Sequence, residues 1–176
     1  MQKKFALTNE TRVLNNQTLY RIKALRDFAN VKAGDLGGFI ESENNLSHDG
    51  NCWVYDKACV YNNAHVSDNA KVLNEAYVFD NAKIEGNSKV FDGAKIYDNA
   101  LLTGYAQAYG NARIYDHAQV WFFAVVCDNA CIYENAKITG YTYICNKVSV
   151  FGNSYIDTKK LNGHINICDQ TIKGAA

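Results

Sequence analysis

The four histidines are the side chains best suited to transfer a proton near neutral pH. They stand far apart in the chain, at His48, His65, His117 and His164. A general base must lie within hydrogen-bonding reach of the proton that it removes, and no histidine has an orienting carboxylate that the sequence identifies. His117 occupies a position at which neighbouring segments carry asparagine. We therefore interpret it as a turn residue that tolerates positive φ rather than as a catalytic base.

Six cysteines offer nucleophiles and metal ligands. No CxxC pair or zinc-finger spacing is present, and although Cys127 and Cys145 are eighteen residues apart, two sulfur atoms do not complete a zinc site. Nucleophilic catalysis would need a base partner that the sequence does not identify. The sequence therefore predicts no metal, no cofactor and no catalytic residue, with the thiols kept reduced in a cytoplasmic protein.

The charges of the 176 residues balance, with 18 basic and 18 acidic side chains. Such a balance favours neither a nucleic acid nor an anionic membrane as a partner. The first residues lack the apolar run of a signal peptide, and no stretch approaches the length of a membrane span. We expect a protein that binds neither membrane nor nucleic acid directly.

A six-residue period must position these side chains. Val, Ile or Leu recurs at every sixth position from Val54 to Ile156, with Ala108 as the exception. A small residue, most often alanine, stands two positions before each of them. The period fits a short strand followed by a corner, with the small and the aliphatic side chains pointing inward. Asp, Asn and Gly fill the corners, where a tight turn demands positive φ.

The pattern resembles the hexapeptide repeat, whose families fold as left-handed parallel β-helices with three hexads in each triangular coil. The eighteen hexads from Val54 to Ile156 would make six coils. The resemblance implies an all-β protein, namely a left-handed parallel β-helix of about six triangular coils with N- and C-terminal caps.

Three segments follow from the repeat. Residues 1–50, which alternate like strands around NETRVLNNQ, form an N-terminal β-hairpin and capping module; residues 51–158 form the β-helix; residues 159–176 form a C-terminal cap and tail. The stretches DFANVKAGDLGGFIES and LSHDGNCWVYD are similar to the N-terminal module of the uncharacterised YdcK-like group of bacterial and phage hexapeptide proteins. Several members are labelled acyltransferases. The resemblance implies a fold and a phage-related origin, but no particular reaction.

Residues eighteen apart stack on neighbouring coils, because three hexads make one coil. One outward column is aromatic throughout: Tyr61, Phe79, Tyr97, Tyr115, Tyr133 and Phe151. Ordinary cross-strand stacking explains such a ladder. The alternative is a second binding face for a subunit or a ligand, formed by Tyr97, Tyr115 and Tyr133 with the flanking Lys95 and Arg113.

A corner column is acidic in four consecutive coils: Asp80, Asp98, Asp116 and Glu134. Acidic residues at corners accept hydrogen bonds from amides of the turn. Mimicry of a phosphate backbone is the alternative explanation of the column.

One corner is aromatic where the others are polar. Trp121-Phe122-Phe123 lies between the stacked corners Thr103-Gly104-Tyr105 and Thr139-Gly140-Tyr141. An exposed aromatic patch of this kind usually marks a contact. We predict a binding surface made of five residues: Tyr105, Trp121, Phe122, Phe123 and Tyr141. A second copy of the chain, its own C-terminal tail and a foreign partner or ligand are the alternative occupants.

The sequence thus predicts a β-helical binding protein that is not an enzyme and that forms a homotrimer or homodimer or binds another protein. The resemblance to phage versions suggests a phage or prophage accessory protein in the host cytoplasm. Its target would be a host macromolecule, for example a component of an anti-phage defence system such as CRISPR-Cas. A structural module of a phage particle is one alternative. The other is a hexapeptide acyltransferase; in such enzymes a histidine base lies near a subunit boundary and the acyl-CoA lies along the helix.

Overall fold

Short strands alternate with tight corners along most of the chain, as the six-residue period predicts. The computed structural model describes residues 3–174, which form an all-β parallel solenoid with three faces. The one helical element in that range is a 3₁₀ turn at Glu43–Asn45. No helix there is long and apolar enough to cross a membrane. The predicted parallel β-helical fold is confirmed, and its left-handed winding is what the hexapeptide resemblance implies.

An antiparallel hairpin precedes the solenoid. Strand β1 (Phe5–Leu14) pairs with β2 (Gln17–Ala24), which in turn pairs antiparallel with β3 (Leu36–Ile40). Asn15 and Asn16 form the turn with φ of 49° and 64°, the positive values that a two-residue hairpin turn favours. The segment NETRVLNNQ, predicted as the connection, mostly extends β1, because only its two adjacent asparagines turn.

The remaining strands are two or three residues long. In chain order, β4 to β24 are Trp53–Val54, Cys59–Val60, His65–Val66, Lys71–Val72, Tyr77–Val78, Lys83–Ile84, Lys89–Val90, Lys95–Ile96, Leu101–Leu102, Gln107–Ala108, Arg113–Ile114, Gln119–Val120, Val125–Val126, Cys131–Ile132, Lys137–Ile138, Tyr143–Ile144, Ser149–Phe151, Tyr155–Asp157, Lys160–Leu161, Asn166–Cys168 and Thr171–Lys173.

Three parallel ladders run the length of the solenoid. Their strand orders are β3-β5-β8-β11-β14-β17-β20-β23, β4-β7-β10-β13-β16-β19-β22 and β6-β9-β12-β15-β18-β21-β24. Within the repeat, paired residues are eighteen apart, as Lys95 opposite Arg113 illustrates. Outward side chains therefore form the straight columns that the sequence predicts.

The ladders make about eight turns rather than the six predicted coils. Strand β3 joins its ladder before the repeat begins, and β22, β23 and β24 extend the ladders after it ends. Tyr155 lies opposite Thr171, so the period shortens at this end while the pairing continues. The predicted count was wrong because an exposed strand edge accepts a further strand whatever the exact spacing.

The corners have positive φ one position earlier than the sequence pattern suggests. Asp116 has φ of 55°, whereas His117 is not among the residues with positive φ. The interpretation of His117 as a residue that tolerates positive φ is therefore wrong. The acidic column instead connects successive coils, since Asp98 Oδ2 accepts the Asp116 N–H at 3.3 Å and Asp116 Oδ2 accepts the Glu134 N–H at 3.1 Å.

Candidate functional site

The aromatic corner lies on the outside of the solenoid. The exposed fraction is 53% for Tyr105, 59% for Phe122, 42% for Phe123 and 76% for Tyr141. Trp121 is half-buried and meets the Tyr155 ring edge-on. We call these five corner residues (Tyr105, Trp121, Phe122, Phe123 and Tyr141) the aromatic corner.

Three of its rings form one stack. The Phe123 ring centroid lies 4.9 Å from that of Tyr105 and 5.0 Å from that of Tyr141, with interplanar angles of 8° and 1°. This spacing is that of neighbouring β-strands, so the ladder itself sets it. No described segment covers the stack, and strand β24 pairs with β21 instead of folding over it.

Phe122 has a strained backbone. Its φ is 59°, at a position where the other corners have Asp, Asn, Glu or Gly. Left-handed backbone costs a residue with a bulky side chain about 1–2 kcal/mol relative to the right-handed form. A Cβ atom on Gly104, in the coil before, would lie 2.9 Å from the Phe122 amide nitrogen, so the close approach of the two corner backbones favours glycine at position 104. Strain that the fold does not require points to a role outside folding.

The six-ring ladder, predicted as a possible second face, is continuous. Neighbouring centroids are 4.9–5.1 Å apart from Tyr61 to Phe151. These rings are buried or half-buried. Burial raises the pKa of Tyr115 to about 12. The Lys95 ammonium lies 5.6 Å from the centre of the Tyr77 ring, which belongs to a different column.

A groove begins beside the aromatic corner. Its volume is about 470 Å³, and Tyr105 belongs both to it and to the aromatic corner. We call it the lysine groove; its lining residues are Ala29, Asn51, Asn69, Lys71, Asn87, Lys89 and Tyr105. The sequence did not reveal it because its lining comes from two different columns and from Ala29, which lies in the loop before β3.

The lysine groove is positively charged. Among residues 3–174, neither the Lys71 nor the Lys89 ammonium forms an ion pair. Lys89 is exposed, and the Lys71 ammonium lies 5.9 Å from the centre of the Tyr55 ring. Asparagine amides provide further donors along the wall. The groove therefore offers cations and hydrogen-bond donors, with an aromatic ring at one end.

A larger groove has the opposite character. Its volume is about 640 Å³, and its lining contains two carboxylates and no cationic side chain: Glu41, Ser42, Asn62, Asn63, Asp80 and Asn81. An anionic ligand would be repelled there by the carboxylates. For a phosphorylated ligand, the lysine groove is the better candidate despite its smaller size.

The histidines do not line the lysine groove. His117 is exposed, and His65 Nδ1 lies 2.6 Å from the Asn44 carbonyl oxygen. Of the four, His48 has a carboxylate neighbour, since its Nε2 lies 3.5 Å from Glu43 Oε2. That carboxylate binds Lys3 at 2.7 Å, and the hydrogen bond with Lys3 is the main cause that lowers the pKa of Glu43.

The N-terminal end contains a buried cation that the sequence did not reveal. The Lys4 ammonium donates to the carbonyl oxygens of Cys52, at 2.9 Å, and Asp49, at 3.2 Å. Burial lowers the pKa of this ammonium group. His48 Nδ1 accepts the Lys4 backbone N–H, and its ring stacks on Phe5. Because these groups bond to one another inside the N-terminal end, we assign them to stability.

Two cysteines and an aspartate meet on another face. The ligand atoms of Cys127, Asp128 and Cys145 all lie within 4.8 Å of one another. The sequence pattern paired the two sulfur atoms but did not include the carboxylate. These three residues are the ones in the described part of the chain that could hold a metal ion together.

Comparison with known proteins gives one informative likeness. The chain is 36% identical over 66 residues to the "Uncharacterized acetyltransferase YdcK" of Escherichia coli (strain K12). The matched region covers 33% of this chain and 20% of the relative. No protein-family model matches the chain. The resemblance to the YdcK-like group is thus confirmed for a part of the chain.

This likeness corrects the functional prediction. The prediction that the chain is not an enzyme is contradicted, because the relative is described as an acetyltransferase. That prediction depended on the absence of a base with an orienting carboxylate in the sequence. The chain is therefore a β-helical protein that resembles an acetyltransferase over part of its length. The phage and anti-defence interpretations find no support in the fold or in the relative.

Proposed function

We propose that this solenoid binds the donor of an acyltransferase reaction, acyl-coenzyme A, in the lysine groove. The observation that carries the proposal is the meeting of Lys71, Lys89 and the exposed Tyr105 ring in one groove of about 470 Å³. The partial likeness to a protein named as an acetyltransferase supports the same reaction class. The volume is within the range of about 300–1,000 Å³ that small-molecule sites occupy.

The lining residues match the chemistry of the nucleotide end of coenzyme A. Lysine ammonium groups bind phosphates as point charges, so Lys71 and Lys89 would hold the phosphate groups. An adenine ring can stack on Tyr105, whose ring is held from the other side by Phe123 at 4.9 Å. Asparagine amides are suited to the ribose hydroxyls. Each part of the ligand thus has a complementary side chain.

The groove serves the donor side of the reaction. Transfer forms a bond between the acyl carbon and an acceptor oxygen or nitrogen and breaks the carbon–sulfur bond of the thioester. The acceptor loses a proton to a base, and the coenzyme A thiol leaves. A base must reach the acceptor directly or through one water molecule. No histidine lines the groove, so we assign that role to no residue of this chain.

Binding of acetyl-coenzyme A measured by calorimetry tests the donor site. The double variant Lys71→Ala, Lys89→Ala should weaken binding at least tenfold, and Tyr105→Ala should weaken it about threefold to tenfold. Lys83→Ala is the matched control, because Lys83 is an exposed lysine on another ladder and should leave the affinity unchanged. Absence of binding at millimolar acetyl-coenzyme A, or equal affinity in the double variant, would contradict the proposal.

The aromatic corner supports a second function, the association of two copies of this chain. Its exposed rings and the strained Phe122 are unfavourable in a monomer, because they keep apolar surface in water. Two neutral copies do not repel one another at long range. The hexapeptide resemblance implies acyl transfer near a subunit boundary. Since Tyr105 belongs to both surfaces, a second copy on the aromatic corner would stand at the rim of the lysine groove.

Light scattering with separation by size tests this association. The double variant Phe122→Asp, Phe123→Asn restores the polar pair of the other corners and should convert the oligomer to a monomer with its β-sheet signal unchanged. Asp98→Asn with Asn99→Ser is the matched control at a polar corner and should keep the wild-type mass. A monomeric wild-type protein would contradict self-association and would leave another protein as the partner to be sought.

A further inference from the structure

Cys127 and Cys145 form a buried thiol pair on an outward column. Each follows an inward residue, Val126 or Ile144, which pair across neighbouring strands. Side chains at such positions normally face solvent. Cys127 is nevertheless only 1% exposed and Cys145 only 6%. Something other than the core must therefore cover the two sulfur atoms.

Two tyrosines provide that cover. The hydroxyl groups of Tyr109 and Tyr143 are hydrogen-bonded to each other, although Tyr109 belongs to the coil before Cys127 and Tyr143 to the coil after it. This pair of hydroxyl groups therefore spans the coil that contains Cys127. The Lys160 ammonium lies 5.8 Å from the centre of the Tyr143 ring. The thiols thus lie in a polar, shielded site instead of an apolar gap.

Asp128 supplies an oriented carboxylate. Its Oδ2 accepts the Asn146 backbone N–H at 2.9 Å, the same bond that joins successive coils at other corners. This bond fixes the carboxylate and leaves its second oxygen free to coordinate. Hydrogen bonds that orient a ligand in this way are a regular feature of metal sites.

We propose that Cys127, Cys145 and Asp128 form a binding site for a zinc ion. Their ligand atoms lie within 4.8 Å of one another, and a tetrahedral site with 2.3 Å bonds needs them about 3.7 Å apart, so small side-chain rotations complete it. Two thiolates and one carboxylate suit Zn²⁺ better than Mg²⁺ or Ca²⁺, which prefer oxygen ligands. Three protein ligands leave the fourth position open. Binding releases the two thiol protons to solvent.

The sequence predicted no metal because two sulfur atoms are too few ligands for a zinc site. The carboxylate became visible only when the corner placed Asp128 beside both thiols. The zinc site does not depend on the donor-binding proposal, because its residues and the residues of the lysine groove are different.

Titration of the metal-free, chemically reduced protein with Co²⁺ tests the site. Tetrahedral thiolate coordination should give a sulfur-to-cobalt charge-transfer band in the near ultraviolet and strong visible bands, both lost when one equivalent of Zn²⁺ is added. Elemental analysis after dialysis against Zn²⁺ should find one ion per chain. Absence of the charge-transfer band in the folded wild-type protein would overturn the proposal.

Matched variants identify the ligands. Cys127→Ser and Cys145→Ser should each weaken Zn²⁺ binding at least a hundredfold, whereas Cys131→Ser, a thiol on another ladder, should not change it. Asp128→Asn should weaken it at least tenfold while the corner survives, because Asn146 already adopts this conformation with φ of 63°. Unchanged affinity in Asp128→Asn would contradict the three-ligand site. A Cys127–Cys145 disulfide in the isolated protein, with no Zn²⁺ binding after reduction, would equally overturn it.

Discussion

The six-ring ladder and the aromatic corner have the same stacking geometry but opposite surroundings. Centroids are about 5 Å apart in both. The ladder rings lie directly after the inward aliphatic residues and are buried or half-buried, whereas Tyr105, Phe123 and Tyr141 are all exposed. Within the aromatic corner, Phe122 has a left-handed backbone. Regular stacking alone is therefore no sign of function in a solenoid, because the strand spacing produces it wherever aromatic residues recur.

The difference lies in what each set contributes to stability. Every ladder ring removes apolar surface from water and stacks on its neighbours, so it stabilises the coils. The aromatic corner leaves four of its five side chains exposed to solvent and adds backbone strain at Phe122. Residues that add little to the stability of the monomer, or that reduce it, are the ones that we associate with binding. Four predictions test this contrast: three substitutions, from the largest expected effect to the smallest, and one pH dependence.

Removal of a ring from the middle of the ladder should have the largest effect. Tyr97 stacks on Phe79 and on Tyr115, both at 4.9 Å. Tyr97→Ala should lower the free energy of unfolding by about 2–3 kcal/mol, because two stacked pairs and the buried ring area are lost. Urea unfolding followed by circular dichroism measures it. Tyr97→Phe keeps both stacks and should stay within about 0.5 kcal/mol of wild type; an equal loss there would show that stacking is not the cause.

Relief of the strain at the aromatic corner should have the opposite sign. Phe122→Asn should raise the free energy of unfolding of the monomer by about 1 kcal/mol, because asparagine tolerates left-handed backbone. Asn74, with φ of 57°, has the same role at another corner. The experiment is urea unfolding in the Phe123→Asn background, where the oligomer is not expected. A destabilised variant would mean that the Phe122 ring stabilises the monomer by packing against its own chain.

Phe123→Asn should change monomer stability only slightly. Its ring stacks on Tyr105 and Tyr141, but all three rings remain exposed, so we expect a loss of about 0.5 kcal/mol. Thermal unfolding at low protein concentration measures the effect without a contribution from association. A loss as large as that of Tyr97→Ala would remove the distinction between the two sets of rings.

The fourth prediction concerns alkaline pH. The pKa values of Tyr61 and Tyr115 in the ladder are raised to about 12, mainly by burial, from the ordinary value of 10.0. Between these values the unfolded chain releases protons that the folded chain retains, so stability is complete below pH 10 and falls as the pH rises to 12. Urea midpoints at pH 9 and pH 11 measure the fall. Tyr115→Phe should show a smaller fall than wild type, and an identical fall would contradict the assignment.

The sequence determined the architecture because every coil repeats the same local chemistry. The six-residue period fixes which side chains point inward, and the eighteen-residue register of pairs such as Lys95 and Arg113 follows from it. Both sets of stacked rings and the outward position of Phe122 could therefore be predicted. The extra turns could not, because strands β22 to β24 pair without the period.

The candidate sites depended on the tertiary structure. Lys71, Lys89 and Tyr105 come together only when three successive coils stack beside the loop that contains Ala29. The position of positive φ and the approach of Asp128 to two thiols depend on how each corner bends. The six-residue period predicts whether a side chain points inward or outward, because that direction depends on the backbone alone. Distances between side chains of different columns depend on the corner geometry and on the packing of the N-terminal loop, and these were decided by the folded structure.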